Sequence, residues 1–348
     1  MSERLQATVY GLVLALGIGW VLYIGRSVIV PIVFSVLVVY VIVGLTRVLF
    51  RLPLVGRFVP LRIGYTLSAL VIALALAAIA SMLATTLGNV VALAPNYETS
   101  LLNAIQAIAT RLGFESEPTW ATLRQDLLAQ INTQRVIGST VVSVSSILSS
   151  LVVVLLYIAF LLIELRGYSA KIANIYSEPE RVASLQQMIA RINSRIGTYL
   201  ALKTLVCVVQ GLVSWAILSL LGVDVAGFWA VLIGVLNYVP YVGSVLGVLF
   251  PVAFATMQFA DLGAIFAVLL ALSAAQFFIG FFLDPYLMGN SLNLSPFAIL
   301  ISLAAWSALW GIAGAFLAVP ITACMVLVFA EFDATRPIAI LLSRNGRI

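Results

Sequence analysis

A chain of 348 residues in which 63% of side chains are hydrophobic and only 9% are charged cannot cover its own surface in water, so a soluble globule is excluded. The apolar residues come in continuous runs of about 20 rather than in alternating ten-residue segments, which excludes a β-barrel and predicts an all-α, polytopic helical membrane protein. The net charge of +5 is not a nucleic-acid signal, because the basic residues sit in loops and ends, where membrane topology accounts for them.

The first apolar run is Ala7–Ile24 and the second is Ser27–Leu45, separated by Gly25-Arg26; two runs joined this tightly predict a helical hairpin. A cleaved signal peptide is the alternative for the first run, but no A-x-A-like site follows it. Arg47, Arg51, Arg57 and Arg62 precede the third run, Ile63–Leu87. Residues 88–138 then mix acids and arginines with short amphipathic stretches, and read as an extramembrane helical insert. The fourth run is Val141–Ile163, serine-rich in its first half, which favours close helix packing over pore lining. After it, Val182, Leu185, Ile189, Ile192 and Ile196 predict an amphipathic interfacial helix starting at Pro179. The fifth run is Tyr199–Leu221, with Lys203 near one end and able to snorkel to the membrane surface.

Beyond Lys203 no lysine or arginine occurs until Arg336, and the apolar runs change length. Phe228–Val239 is too short to span alone, Val242–Phe259 follows after Pro240-Tyr241, Leu262–Leu283 has ordinary length, and Pro296–Ala330 is too long for one straight span. The C-terminal half is therefore expected to contain broken or re-entrant helices. Basic loops place both termini and the Arg166–Arg195 segment in the cytoplasm and residues 88–138 outside. An odd number of crossings must follow residue 222. Either Phe228–Phe259 is one broken span, giving eight spans, or Phe228–Phe259 and Pro296–Ala330 are both hairpins around the crossing Leu262–Leu283. The second arrangement matches the inverted-repeat plan of many secondary transporters.

Chemistry-bearing residues are few. The absence of histidine removes His-based catalytic pairs and the common zinc sites, and no metal or cofactor is expected. Cys207 and Cys324 lie in apolar runs and read as small buried hydrophobes. No G-x-x-x-x-G-K-[ST] occurs, which argues against ATP hydrolysis, and no credible catalytic group argues for an enzyme. Pro240 disrupts the helix around Tyr238, and the freed carbonyls need partners or a water-lined cavity, for which Asn237 and Tyr241 are well placed. Gly243 and Gly247 form a G-x-x-x-G that permits close approach. Either this turn only shapes the chain or it also lines a pathway; on the second reading Pro240→Ala and Gly243→Leu impair transport more than expression. Gln210 and Gln276 are single amides within spans, suited to interhelical hydrogen bonds or to solute contact. Gly311 and Gly314 suit close packing, and in the two-hairpin arrangement they stand where Pro296–Ala330 folds back. Asp284, directly after Leu283, is expected at a membrane interface, anchoring a loop, with ion coupling as the alternative. Its nearest basic neighbour in the following sequence is Arg336, so no local ion pair is expected, and Asp284→Asn should leave folding and assembly intact and reduce transport only moderately.

The stretches L-N-Y-V-P-Y-V-G-S-V-L-G (Leu236–Gly247), D-P-Y-L-M-G-N-S-L-N-L-S-P (Asp284–Pro296) and W-S-A-L-W-G-I-A-G-A-F-L-A-V-P (Trp306–Pro320) together resemble the signature region of the autoinducer-2 exporter family of bacterial membrane proteins. The matching positions are Pro240, Gly243, Pro251, Pro285, Gly289, Pro296, Trp310, Gly311, Gly314 and Pro320. One departure is that the family's loop often places an acid and a polar residue before its proline, where this chain reads Leu283-Asp284-Pro285. The resemblance implies a secondary transporter, an exporter of a small polar solute, in the bacterial cytoplasmic membrane. It also implies a homo-oligomer, specifically a pentamer, in contact with membrane lipids, with no nucleic-acid partner. Autoinducer-2 export and quorum sensing are linked to some members and sodium–proton exchange to others; a non-transporting scaffold is the rival from another class. The implied organisation is three N-terminal spans in 1–87, the external insert in 88–138, a fourth span and cytoplasmic amphipathic helix in 139–198, a transport core in 199–335 and a cytoplasmic tail in 336–348. The candidate pathway residues, read from the helix interruptions and the intramembrane amides, are Gln210, Asn237, Tyr238, Pro240, Tyr241, Gly243, Gly247, Gln276, Gly311, Gly314 and Pro320, with Asp284 the alternative ion-coupling carboxylate.

Overall fold

A computed structural model describes residues 3–51, 60, 63–82, 85, 133–164, 167–174, 178–259, 261–288 and 293–346. The insert expected at 88–138 lies outside the described residues except for 133–138, as do Arg57, Arg62, Arg166 and Gly289. Among the described residues the chain is helical: α1 (Glu3–Ile24), α2 (Arg26–Arg51), α3 (Ile63–Met82), α4 (Thr133–Glu164), α5 (Tyr168–Ala173), α6 (Pro179–Leu220), α7 (Ala226–Leu236), α8 (Val242–Phe259), α9 (Leu262–Phe278), α10 (Asp284–Met288), α11 (Pro296–Glu331) and α12 (Arg336–Leu342). Six of these segments are long and apolar enough to cross a bilayer: 26–46, 63–82, 179–220, 242–259, 262–288 and 296–331. The protein is a polytopic α-helical membrane protein.

Two boundaries differ from the sequence expectation. The amphipathic helix after Pro179 and the fifth apolar run are one helix of 42 residues, about 63 Å long at 1.5 Å per residue. Proline suits its first position, and no proline interrupts it afterwards. The apolar run from Leu262 also does not end at Leu283. A π-helical turn at Ile279–Leu283 links α9 directly to α10. Pro285 explains the turn: its ring excludes the carbonyl four residues back, and the wider turn lets the Asp284 N–H reach the Ile279 carbonyl instead.

The chain forms two compact units. The first comprises residues 1–69, 152–202 and 290–348. Within it α2 presents Ser35, Val39, Ile42 and Thr46 on one buried stripe at helical spacing. Thr46 Oγ1 donates to Ser68 Oγ at 2.9 Å, and the Ser35 hydroxyl lies 3.2 Å from the Val154 carbonyl oxygen. Tyr40 Oη donates to Asn193 Oδ1 at 2.5 Å, fixing α2 on the first half of α6. α11 begins with a Ser295 cap, whose Oγ accepts from the Ala298 N–H at 3.1 Å, and Pro296 in the first turn. Its two halves do not run straight. Gly311 sits at φ 63° and ψ −139°, and Trp306 Nε1 donates to Thr322 Oγ1 at 3.2 Å. In a straight helix those residues stand about 24 Å apart, so the chain folds back at Gly311. A Cβ at Gly314 would coincide with the Trp306 carbonyl, which is why the returning arm needs glycine there. The tail closes over the start of this hairpin: the Ser295 N–H donates to the Leu342 carbonyl and the Arg344 N–H to the Asn293 carbonyl, each at 2.9 Å.

The second unit comprises residues 70–151 and 203–289. Its core gathers Leu218, Val223, Ile233, Phe254, Ala255, Val268 and Leu272. α7 and α8 form another hairpin. Gly247 faces Ile233, and the rings of Trp229 and Phe254 lie 5.2 Å apart, so the arms are side by side and Phe228–Phe259 is not a single broken span. At the open end of this hairpin Gln258 Nε2 donates to the Gly222 carbonyl at 2.8 Å, while its Oε1 accepts from the Asp224 N–H at 2.8 Å.

Candidate functional site

Each unit owns one reversal of the chain, and the polar residues of the second unit collect beside its own. The turn between α7 and α8 is short. The Tyr238 N–H donates to the Val235 carbonyl and the Val239 N–H to the Leu236 carbonyl, closing three-residue steps that tighten the end of α7. Pro240 follows, and Tyr241 takes a left-handed conformation at φ 63°. Only glycine, asparagine and aspartate adopt that region without strain, so Tyr241 stores about 1–3 kcal/mol at the hairpin tip. Val225, at the other end of α7, is left-handed as well at φ 50°. Gly243 then starts the return; a Cβ there would coincide with the Leu236 carbonyl, so the turn closes only because none is present.

α6 lies against α7 through a small-residue crossing. A Cβ on Gly234 would stand 2.9 Å from the Cys207 carbonyl oxygen. That contact delivers the end of α7 to a polar stripe on α6: Lys203, Cys207, Gln210 and Ser214 recur at helical spacing, with Thr204 alongside. Tyr238 Oη donates to Thr204 Oγ1 at 2.7 Å. Asn237 Nδ2 points at Cys207 Sγ, 3.9 Å away. Gln210 Nε2 donates to Ser214 Oγ at 3.3 Å. We expect Tyr238→Phe to lower stability by about 1 kcal/mol, read from thermal unfolding in detergent; an unchanged midpoint would show that the hydroxyl contributes nothing.

Lys203 and Asp284 complete the group. Lys203 is 5% exposed and its Nζ stands 3.3 Å from Asp284 Oδ2. This corrects two sequence expectations. Lys203 does not snorkel, and Asp284 does not end in an unpaired loop; the π-helical turn carries the helix through Asp284 and turns it to α6. The same turn aligns Asp284 with Gln276. Eight residues apart, they would differ by about 80° around an ordinary helix, but one extra residue in the wide turn reduces this to about 20°. The opposite side of the turn is aromatic, with Phe277, Phe278, Phe281 and Phe282 all exposed, as suits a lipid-facing surface.

Of the residues expected from sequence, the second unit holds Gln210, Asn237, Tyr238, Pro240, Tyr241, Gly243, Gly247, Gln276 and Asp284. Gly247 packs on Ile233 in ordinary contact and takes no part in the turn. Gly311, Gly314 and Pro320 belong to the first unit, in and after the reversal of α11. Sequence reasoning left Lys203, Thr204 and Cys207 out of the site. One signal pointed to them: Lys203 is an isolated cation in an apolar run, four and seven residues before Cys207 and Gln210, hence on their stripe.

Residues 12–333 match the family described as AI-2E family transporter. The chain belongs to that family. AI-2 transport protein TqsA of Escherichia coli (strain K12) is 29% identical over 312 residues, covering 84% of this chain and 85% of TqsA. YhhT of the same strain is 27% identical over 300 residues, covering 83% of this chain and 81% of YhhT. Membership of the AI-2E family makes this protein a membrane transporter, and its paired helix reversals and intramembrane polar stripe are features such a function uses.

Proposed function

We propose that this AI-2E family member is a secondary transporter that exports a small polar solute across the bacterial cytoplasmic membrane, without enzymatic chemistry of its own. Autoinducer-2 is the first solute to test, because TqsA, similar over most of its length, carries that solute in its name. The observation that carries the reading is the meeting of a strained hairpin tip, Asn237–Tyr241, with the polar stripe of α6, which itself pairs through Lys203 with Asp284 at the start of α10. Polar groups inside a membrane protein are costly and mark pathways. In this reading Asn237, Tyr238, Tyr241, Gln210, Gln276 and Asp284 contact the solute or its coupling ion. Pro240, Gly243 and Gly247 shape the first reversal, and Gly311, Gly314 and Pro320 shape the second. Purified protein in liposomes loaded with autoinducer-2 should release it faster than empty-protein controls when a proton gradient is imposed. Equal release with and without protein, across a panel of polar solutes, would leave the scaffold reading. Sodium–proton exchange is a second reading, favoured by the carboxylate of Asp284 within an apolar helix; sodium-driven acidification in the same liposomes tests it.

Both termini and residues 166–198 are assigned to the cytoplasm and 88–138 to the outside, from the placement of arginine. Cysteines introduced at Glu115 and Glu180 should react with an impermeant maleimide from opposite sides of the membrane; labelling from one side overturns the topology. We assign a homo-oligomer, specifically a pentamer, from the family resemblance, and α1 supports it. Its apolar side chains are exposed along most of its length, Tyr10 at 71%, Leu14 at 65% and Trp20 at 67%, leaving surface for lipid or further copies. Mass photometry in nanodiscs reads the copy number.

A further inference from the structure

α6 and the α9–α10 helix run antiparallel in the second unit. At one end Gln258, just before α9, bonds the Gly222 carbonyl just after α6; at the other Lys203 meets Asp284. Moving up from the ion pair, Gln210 is about 10 Å along α6 and Gln276 about 12 Å along α9, so the two amides stand at one level. Three buried oxygens along this stretch have no hydrogen-bond donor among the described residues: Gln210 Oε1, Gln276 Oε1 and Asp284 Oδ1. Gln210 is 1% exposed, so solvent does not satisfy it. Buried acceptors without donors are rare in folded proteins and call for an explanation. Here all three are acceptors, and the charged one already holds a primary ammonium, that of Lys203. A lysine ammonium is a compact charge with three donors on a flexible stem, able to withdraw and return.

From this we infer that Asp284, with the amide oxygens of Gln210 and Gln276 above it, forms a binding site for small primary-ammonium solutes, and that Lys203 Nζ is its tethered occupant in the empty carrier. The inference rests on the transporter reading and names a solute class for the same site. An incoming R–NH3+ group takes the place of Lys203 Nζ on Asp284 and donates to its free Oδ1, while donors farther along the solute reach the amide oxygens of Gln210 and Gln276 about two helical turns away. Lys203 leaves the carboxylate, and no covalent bond changes. Charge works against two ammonium groups sharing one carboxylate, so the lysine is a competitor and not a co-ligand. A purely structural salt bridge would let ethylammonium in only once the lysine is removed, so saturable binding to the wild-type chain is what separates the two.

The test uses the full-length protein in detergent, with ethylammonium as probe and sodium and tetramethylammonium as comparisons. Wild type should bind ethylammonium weakly and saturably by isothermal titration. Lys203→Met should bind it at least tenfold more tightly and recover in thermal unfolding midpoint when it is added, while sodium and tetramethylammonium do neither. The double variant Lys203→Met/Asp284→Leu, which keeps the interior neutral and folded, should lose binding altogether. If Lys203→Met does not fold, the comparison of wild type with the double variant stands alone and must show binding in the first only. No saturable binding to wild type, equal affinity in wild type and Lys203→Met, binding that survives in the double variant, or equal protection by sodium overturns the ammonium site. Flux of a neutral solute such as autoinducer-2 in liposomes is measured beside it. Flux without ammonium binding defeats this inference alone, and loss of all flux in wild type defeats the transporter reading.

Discussion

Gly243→Ala should destabilise the protein by about 3 kcal/mol, and Gly243→Leu should prevent the α7–α8 hairpin from closing. The added Cβ would coincide with the Leu236 carbonyl, which is backbone and cannot move aside as a flexible side chain could. Relief requires opening the turn, and shifts of packed backbone cost about 1–3 kcal/mol or more. Gly247→Ala is the internal control. Its Cβ would stand 3.5 Å from Ile233, an ordinary contact, so its effect should stay within about 0.5 kcal/mol. Thermal unfolding in detergent, with monodispersity after solubilisation, separates the two. The expectation drawn from sequence, that Gly243→Leu impairs transport more than expression, is thereby revised: folding should fail first. Gly243→Ala with the stability of Gly247→Ala would show that the turn has another way to close.

Asp284→Asn should lose about 3–5 kcal/mol, because it leaves the Lys203 ammonium buried without its counter-charge. Asparagine has the shape of aspartate and none of its charge, so the variant isolates electrostatics from packing. Lys203→Met/Asp284→Leu removes both charges and should recover most of that stability, since a buried ion pair is often no better than well-packed apolar residues. Flux should be lost in both. This separates a pair kept for function from one kept for structure: stability returns in the double variant and transport does not. An Asp284→Asn protein as stable as wild type would mean that the pair is not closed in the membrane. The moderate, folding-neutral effect expected from sequence assumed an aspartate in a solvated loop.

Composition and run length alone determined the class of this protein, because a bilayer accepts only helices or closed barrels and the apolar runs here are continuous. Pro240, Gly243, Gly311 and Gly314 also marked where the chain reverses, since proline and glycine limit a helix locally. Whether Phe228–Phe259 was one broken span or a hairpin stayed open in the sequence; the pairing of Trp229 with Phe254 and of Ile233 with Gly247 decided it. The ion pair was beyond sequence reasoning for a different reason. Lys203 and Asp284 are 81 positions apart, and their meeting depends on three tertiary events. The hairpin must return α9 antiparallel to α6, Pro285 must widen one turn of helix, and that turn must rotate Asp284 inward. Read as the end of an apolar run before a proline, Asp284 signalled a loop. The same proline, itself exposed, instead made the π-helical turn that brings Asp284 to Lys203. Local residue chemistry set where the helices bend, while the direction each polar side chain faces came from long-range packing that no local pattern encodes.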